Sequence, residues 1–166
     1  METLKFRNAL VTDLPIIVAI YNSTIASGLV TADTETVSPE SRRPWFDEHN
    51  ARERPLWLVE NEAKPVGWVS FRSFYGRPAY AATAEISLYL APEQRGRGFG
   101  GRIMRYCLDN APLLGIKTLL AFIFAHNEPS LKLFRRFGFA DWGTLPAVAE
   151  INGREYGLKI LGKRIA

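Results

Sequence analysis

The sequence is poor in cysteine and in long apolar runs. Its 166 residues include one cysteine, Cys107, which cannot form an internal disulfide and so excludes a disulfide-stabilised secreted scaffold. No apolar run approaches the length of a membrane-spanning helix, and the first residues lack the basic start and apolar stretch of a signal peptide. We therefore expect a cytoplasmic protein with no membrane partner.

Repeats, low-complexity tracts and Ser/Gly linkers are also missing. With 47% hydrophobic and 23% charged residues, the chain has the composition of a globular protein, and we predict one domain over residues 1–166. The net charge of +4 implies only a mild attraction for anions. Because the basic residues cluster at one loop and form no stripe with interleaved aromatics, we expect no nucleic-acid partner.

The periodicity of the apolar residues predicts an α/β fold with a mixed sheet that contains at least one parallel crossover. Residues 119–124 are apolar at every position, which predicts the central buried strand. Asn152-Gly153 is a strong signal for a tight hairpin. The predicted elements are strand 4–10, a helix from 13 that ends before 28, helix 39–52, strands 56–59, 66–71 and 84–90, helix 99–115, strand 119–124, helix 129–138, and strands 147–151 and 155–161.

A glycine-rich loop at residues 94–101 lies between a predicted strand and a predicted helix. Glycines let the backbone approach a ligand closely, and the free amides at a helix start favour negative charge. Arg95 and Arg97 add forked hydrogen-bond donors that suit phosphate oxygens. The loop therefore predicts a binding site for a phosphorylated cofactor.

The loop also matches the dinucleotide-binding fingerprint, with Gly96, Gly98 and Gly101 in the required spacing. That site needs an acidic residue about 20 positions later, and the strand at 119–124 has none. The Lys-Ser or Lys-Thr of a nucleotide-hydrolysing phosphate loop is missing as well. A dinucleotide-dependent oxidoreductase is thus the less favoured alternative.

In a second interpretation, Arg95-x-x-Gly98-x-Gly100 resembles the pyrophosphate loop of the GCN5-related N-acetyltransferase (GNAT) superfamily. The predicted element order is similar to that superfamily over nearly the whole chain, which implies a mixed, mostly antiparallel sheet of six to seven strands flanked by about four helices. Residues 127–130 and 137–139 resemble its second cofactor segment. Residues 21–24, 30–35, 77–80 and 83–85 are similar to its phosphinothricin acetyltransferase branch. The motifs in this order are far more specific than the glycine loop alone.

This resemblance implies an N-acetyltransferase that transfers the acetyl group of acetyl-coenzyme A directly to the amine of a small, amino-acid-like acceptor. The acceptor would be of the phosphinothricin or methionine sulfoximine type, the protein a homodimer, and no metal would take part. Asn127 is also a candidate cap of the following helix. The implied cofactor-binding residues are Leu88, Tyr89, Leu90, Arg95, Gly96, Arg97, Gly98, Phe99, Gly100, Gly101, Asn127 and Ser130.

Amine acetylation needs a base, because an ammonium group has no lone pair with which to attack a thioester. Glu85 alternates with Ser87 and Tyr89 on the polar face of its predicted strand, and burial in a cleft would raise the pKa of its carboxyl into a useful range. The resemblance places the base at Glu85. It also implies that Arg77 and Tyr80 hold an acidic acceptor, for which a guanidinium is well suited.

Two positions depart from the pattern of phosphinothricin-acting proteins. The phosphinothricin-acting proteins have histidine at the position of Phe134. They have an aromatic residue at the position of Ala32. We expect Phe134 to contact the acceptor, but it cannot donate a proton, so the general acid is not identified. A protein N-terminus or a polyamine therefore stays open as an alternative acceptor.

Overall fold

The computed structural model describes residues 3–166, and in this part of the chain seven strands and four α-helices follow in the predicted order. No helix in residues 3–166 is long and apolar enough to cross a membrane. The elements are β1 (Leu4–Asn8), α1 (Leu14–Asn22), α2 (Pro39–Asp47), β2 (Leu56–Asn61), β3 (Lys64–Ser73), β4 (Thr83–Leu90), α3 (Phe99–Asn110), β5 (Thr118–Phe124), α4 (Glu128–Arg136), β6 (Ala140–Ile151) and β7 (Arg154–Arg164).

All seven strands join one sheet in the order β1-β2-β3-β4-β5-β7-β6. Neighbouring strands are antiparallel except β4 and β5, which are parallel and are connected through α3. This arrangement confirms the predicted mixed, mostly antiparallel sheet. The parallel pair is short, because it ends where Glu85 lies opposite Leu120. Beyond that point β4 and β5 separate, and a cleft opens in the middle of the sheet.

The alternation of side chains along the strands divides the core between the two faces of the sheet. On one face, Phe71 of β3 and Leu119 of β5 pack with the buried sides of α3 and α4. On the other face, Leu58 of β2 and Trp68 of β3 pack against Ile17 of α1. Because Glu85 has the opposite parity to the buried Ala84 and Ile86, it lies on the face that α1 and α2 cover.

Strand β5 lies inside the sheet but is fifth in order, so the central position belongs to β4. All of its residues are buried except Phe122, which is 36% exposed. The sequence predicted that β5 is buried on both faces of the sheet. Phe122 is an exception because it borders the cleft between β4 and β5. An apolar residue at every position therefore correctly predicted that β5 lies inside the sheet, but it did not predict that Phe122 is exposed.

Helix α2 ends at Asp47, five residues before the predicted end. Its start is as predicted, since the Ser38 side chain accepts a hydrogen bond from the Ser41 amide. After the helix, Asn50 pairs with Arg54 in a bridge, and the Asn50 side chain accepts a hydrogen bond from the Glu53 amide at 2.8 Å. This local turn satisfies backbone groups that a longer helix would use.

The last hairpin turns at Asn152 and Gly153, whose φ angles of 53° and 74° are those of a tight primed turn. Its strands are longer than predicted, because β6 already begins at Ala140. Pro146 obscures this strand in the sequence. A proline is tolerated there because β6 is an edge strand and needs fewer amide donors.

Candidate active site

Glu85 occupies the last position at which β4 pairs with β5, and it lies directly opposite Arg72 on β3. Its carboxylate accepts no hydrogen bond from any side chain or amide in residues 3–166. Burial raises the pKa of this carboxyl, and the nearby charge of Arg72 opposes that effect in part. A carboxylate with a raised pKa and open acceptor positions is suited to take a proton from a ligand.

A cavity of about 330 Å³ lies above Glu85 on the α1 and α2 face. Three cross-strand pairs of β3 and β4 form its floor: Trp68 with Tyr89, Ser70 with Ser87, and Arg72 with Glu85. The floor therefore changes from aromatic to hydroxyl to charged along its length. The remaining lining residues come from the two helices and the segment between them, namely Ile17, Val18, Tyr21, Ala32, Arg42 and Trp45.

The aromatic end of the cavity is tightly packed. The Trp68 ring stacks on Tyr89 with ring centroids 4.5 Å apart, and Trp45 contacts Trp68 edge-on at 5.4 Å. The Trp68 indole N–H donates to the Ile17 carbonyl oxygen at 3.1 Å. These contacts leave a preformed apolar wall at the end of the cavity farthest from Glu85.

A polar network joins α1, α2 and the segment between them at the cavity wall. The Tyr21 hydroxyl donates to Asp33 and forms a hydrogen bond with Thr31. The Arg42 guanidinium donates to Asp33 at 2.9 Å and lies 4.5 Å from the centroid of the Tyr21 ring. Burial raises the pKa of the Tyr21 hydroxyl, so this group stays protonated and continues to donate.

The cleft between β4 and β5 continues from Glu85 toward the glycine loop. Residues 86–90 of β4 have no strand partner on the side of β5 within the described chain, so their backbone borders the cleft. A small cavity of about 50 Å³ there is lined by residues of β4, β5 and α4, among them Leu88, Tyr89, Asn127, Ser130 and Phe134. These predicted positions, which are far apart in the sequence, thus lie together.

Asn127 precedes α4 and is only 4% exposed. Its side chain accepts a hydrogen bond from the Ser130 amide at 3.3 Å, so its capping role is present in the structure. Phe134 is 5% exposed and packs edge-on against Phe139, with ring centroids 4.9 Å apart. It borders the small cavity in the cleft and not the cavity above Glu85.

The glycine loop leads into the first turn of α3. Gly96 and Gly98 have φ angles of 73° and 80°, and the space beside each is open. Gly100 is constrained by packing, since a Cβ there would lie 3.2 Å from a methyl carbon of Leu133 in α4. Phe99 is buried in the core, so only its backbone is available to a ligand. The loop thus leaves open space beside the backbone of Gly96 and Gly98, directly before the free amides of a helix start.

Arg95 and Arg97 of the loop are both exposed. Arg95 donates to the Leu90 carbonyl oxygen at 3.1 Å and to the Ser23 hydroxyl at 3.1 Å, which ties the loop to the end of β4. Arg97 donates to the Gln94 side chain at 2.7 Å. Two guanidinium groups therefore flank the start of α3, where the sequence placed them.

Arg77 and Tyr80 lie in a different place from the one expected. They line a second cavity of about 430 Å³, together with the buried Arg54. Neither residue lines the cavity above Glu85. Within one chain, the structure therefore does not bring Arg77 and Tyr80 together with Glu85.

Sequence reasoning did not single out Arg42, Trp45 or Arg72, although all three line the cavity above Glu85. The available signal was the parity of β3, in which Trp68, Ser70 and Arg72 alternate onto one face. Cys107 is fully buried in the core, where burial raises the pKa of its thiol, so it is no nucleophile. Residues 3–166 contain no cluster of three or more metal-ligating side chains.

A sheet divided by a cleft, a glycine loop before a helix and a half-buried carboxylate at the end of the cleft are the features that the resemblance to an acetyltransferase implies. The sequence pattern of the acetyltransferase (GNAT) family matches residues 19–139, which is more than half of the chain. The chain therefore belongs to the GNAT family and is an N-acetyltransferase. This membership excludes the dinucleotide-dependent oxidoreductase.

Several known proteins are similar to the chain over most of its length. It is 54% identical over 155 residues to "Putative phosphinothricin acetyltransferase YwnH" of Bacillus subtilis, covering 93% of this chain and 94% of the relative. It is 31% identical to the L-methionine sulfoximine/L-methionine sulfone acetyltransferase of Pseudomonas aeruginosa, covering 90% and 88%. A crystal structure of a phosphinothricin acetyltransferase from Sinorhizobium meliloti in complex with acetyl-CoA has a TM-score of 0.89 and 26% identity, covering 98% and 88%.

Proposed function

We propose that this protein transfers the acetyl group of acetyl-coenzyme A to the amine of a small, amino-acid-like acceptor of the phosphinothricin or methionine sulfoximine type. The observation that carries the proposal is the position of Glu85. This residue lines the cavity above the sheet and also an adjoining cavity of about 340 Å³ that borders β5. A base at this junction can reach an acceptor on one side and an acyl donor on the other.

On the donor side, three features support binding of coenzyme A along the cleft. The side of residues 86–90 that faces away from β3 has no strand partner, so its free backbone groups can form strand-like hydrogen bonds with the amide groups of a pantetheine arm. The amides at the start of α3 and the exposed Arg95 and Arg97 suit a pyrophosphate. Asn127, which caps α4, and Ser130 in its first turn border the same cleft.

On the acceptor side, Glu85 removes a proton from the ammonium group, directly or through a water molecule. The neutral amine then attacks the thioester carbonyl carbon, and the bond from that carbon to sulfur breaks. The attacking nitrogen loses its second proton, through water, to the departing thiolate, so the products are the neutral amide and the coenzyme A thiol. Both substrates are bound during this direct transfer. A cavity of about 330 Å³ is large enough for one amino acid side chain and its head group.

We also propose that the protein acts in the cytoplasm as a homodimer. Arg77 and Tyr80 are the residues that the resemblance assigns to the acceptor, yet they lie outside the Glu85 cavity of their own chain. Contact with an acceptor at Glu85 would then have to come from a second copy of the chain. Sedimentation velocity tests the dimer independently of activity.

Thiol release from acetyl-coenzyme A tests the activity on a panel of acceptors. We expect release with methionine sulfoximine, methionine sulfone or phosphinothricin, and little with a peptide N-terminus or a polyamine. Preference for the peptide or the polyamine would contradict the proposed acceptor class. A matched reaction without acceptor separates transfer from thioester hydrolysis.

A further inference from the structure

Arg72 is the only basic residue of the described chain that lies directly across the sheet from Glu85. Side chains at opposed positions of an antiparallel pair have Cβ atoms about 4.5–5.5 Å apart. Both side chains point into the same cavity. The floor therefore presents one positive and one negative group side by side at its charged end.

The Arg72 guanidinium is held at one edge. Its Nε and Nη2 atoms both donate to one carboxylate oxygen of Glu48, at 3.2 and 2.8 Å. The Nη1 atom has no hydrogen-bond partner among residues 3–166. Because the Arg72 side chain is 43% exposed at the cavity mouth, this second edge is accessible to a ligand.

Arg42 is the other guanidinium of the cavity, but it is placed differently. Its plane lies near the Tyr21 ring, and it forms an ion pair with Asp33. It extends from α2, so no strand register places it beside Glu85. Arg42 is therefore part of the wall, whereas Arg72 is part of the charged floor.

An α-amino acid carries its amine and its carboxylate on the same carbon atom. With the amine at Glu85, the carboxylate reaches the neighbouring position on the floor, which is that of Arg72. The side chain of the acceptor then lies along Ser70 and Ser87 toward the stacked Trp68 and Tyr89. The order of groups on the floor thus matches the order of groups in an amino acid.

We infer that Arg72 binds the carboxylate of the acceptor from within the same chain, and that Glu48 is a positioning residue that orients Arg72. The inference rests on the proposed acetyl transfer at Glu85. It assigns the acidic group of the acceptor to a residue of β3, in place of Arg77 of the same chain.

The test compares an α-amino acid acceptor with its carboxamide, which has nearly the same shape, lacks the negative charge and has a less basic amine. Methionine sulfone and methionine sulfone amide are suitable probes. We expect the parent enzyme to favour the acid in kcat/KM by on the order of 10- to 100-fold, the usual worth of a hydrogen bond to a charged group. In Arg72→Gln the ratio of the two kcat/KM values falls by about this factor relative to the parent, mainly because KM for the acid rises.

The ratio of the two acceptors separates binding from electrostatics. Loss of Arg72 also changes the proton affinity of Glu85, but this affects the acetylation of both acceptors. The difference in basicity between the two amines is the same in parent and variant at one pH, so it cancels when their ratios are compared. Arg72→Lys keeps the charge without the forked donors, and we expect an intermediate preference. Arg43→Gln removes an exposed arginine of α2 that is paired with Asp47, and it should leave the ratio as in the parent.

The inference is wrong if Arg72→Gln keeps the parent's preference for the acid. In that case, loss of the preference in Arg42→Gln or in Arg77→Gln would assign the carboxylate to that residue. A parent enzyme that acetylates neither acceptor overturns the proposed function and the inference with it. Thermal stabilisation of each variant by coenzyme A shows that it is folded. If Arg72→Gln is not folded, the ratio in Arg72→Lys decides, and a parental value there counts against the assignment.

Discussion

The two halves of the candidate active site are built in different ways. The glycine loop is one continuous segment, residues 94–101, and it offers mainly backbone groups at the start of α3. The cavity above Glu85 is assembled from side chains of α1, α2, β3, β4 and the segment between the two helices. Because the loop is one continuous segment, it can be recognised in the sequence, and it suits a cosubstrate that many proteins share. Because the cavity is lined by side chains from separate elements, these can change to suit another acceptor while the loop stays the same.

The largest effect is expected at the point where the two halves meet. Glu85→Gln keeps the shape of the side chain and removes its basicity, so turnover should fall by on the order of 10²–10⁴, the usual contribution of a positioned base. Affinity for acetyl-coenzyme A should change little, because the loop is intact. Initial rates and calorimetry measure the two quantities. Near-parental turnover at neutral pH on a good acceptor would place the base elsewhere.

A substitution in the loop should have the opposite signature. Gly98→Ala places a Cβ in the open space beside the loop at a φ of 80°, and we expect coenzyme A affinity to fall by about 1.5–3 kcal/mol as a charge-assisted hydrogen bond is lost. The strained backbone should also lower stability by about 1–2 kcal/mol.

Gly153→Ala is the matched control for that experiment. Gly153 has a φ of 74° and equally open surroundings, but it lies in the hairpin between β6 and β7. It should lose similar stability and keep its affinity for coenzyme A. Equal affinities in the two variants, measured by calorimetry, would remove the loop from the cosubstrate site.

Variants of Arg77, which lines the second cavity, test whether one chain supplies all the residues that bind the acceptor. Arg77→Ala alone should raise KM for the acceptor by roughly tenfold, the low end for a lost hydrogen bond to a charged group, and leave KM for acetyl-coenzyme A nearly unchanged. Co-expression with Glu85→Gln then distinguishes the two geometries. If Arg77 acts across a homodimer, each mixed dimer has one site with both an intact Glu85 and an intact Arg77, and one site with neither. Random pairing of equal amounts places half of the chains in mixed dimers, so about a quarter of all sites are complete.

If activity does not recover although both variants are folded and dimeric, Arg77 does not act on the active site of the partner chain. Co-expression of Arg77→Ala with Arg77→Ala carrying a second tag is the control for expression level. Rates at low acceptor concentration give the clearest difference, because there they follow kcat/KM.

The smallest expected effect is on stability and its dependence on pH. Burial raises the pKa of Glu85 in the folded protein above its value in the unfolded chain, so the folded state binds the proton more tightly. Ionised Glu85 therefore lowers stability as the pH rises from the ordinary glutamate pKa through the raised one. Glu85→Gln should be slightly more stable than the parent at neutral pH, and the difference should vanish below both values. Thermal unfolding across this pH range measures it, and a variant less stable at neutral pH would contradict the assigned cause.

The sequence alone determined those features whose signals are local. The order of the eleven main elements, the Ser38 cap, the Asn152-Gly153 turn and the glycine loop all depend on residues that are neighbours in the chain. The polar face of β4 followed from alternation, and it correctly grouped Glu85 with Tyr89. The bounds of α2 and β6 were wrong because their ends depend on the Asn50 turn and on an edge position that tolerates Pro146.

Only the tertiary structure decided how these pieces meet. The register that sets Arg72 opposite Glu85, and the separation of β4 from β5 after Leu120, result from packing between strands that are far apart in the sequence. A shift of one residue would turn every side chain of a strand to the other face, and no pattern within a single strand specifies its partner's register. For that reason the glycine loop could be predicted from one segment, while the side chains around the cavity above Glu85 could not.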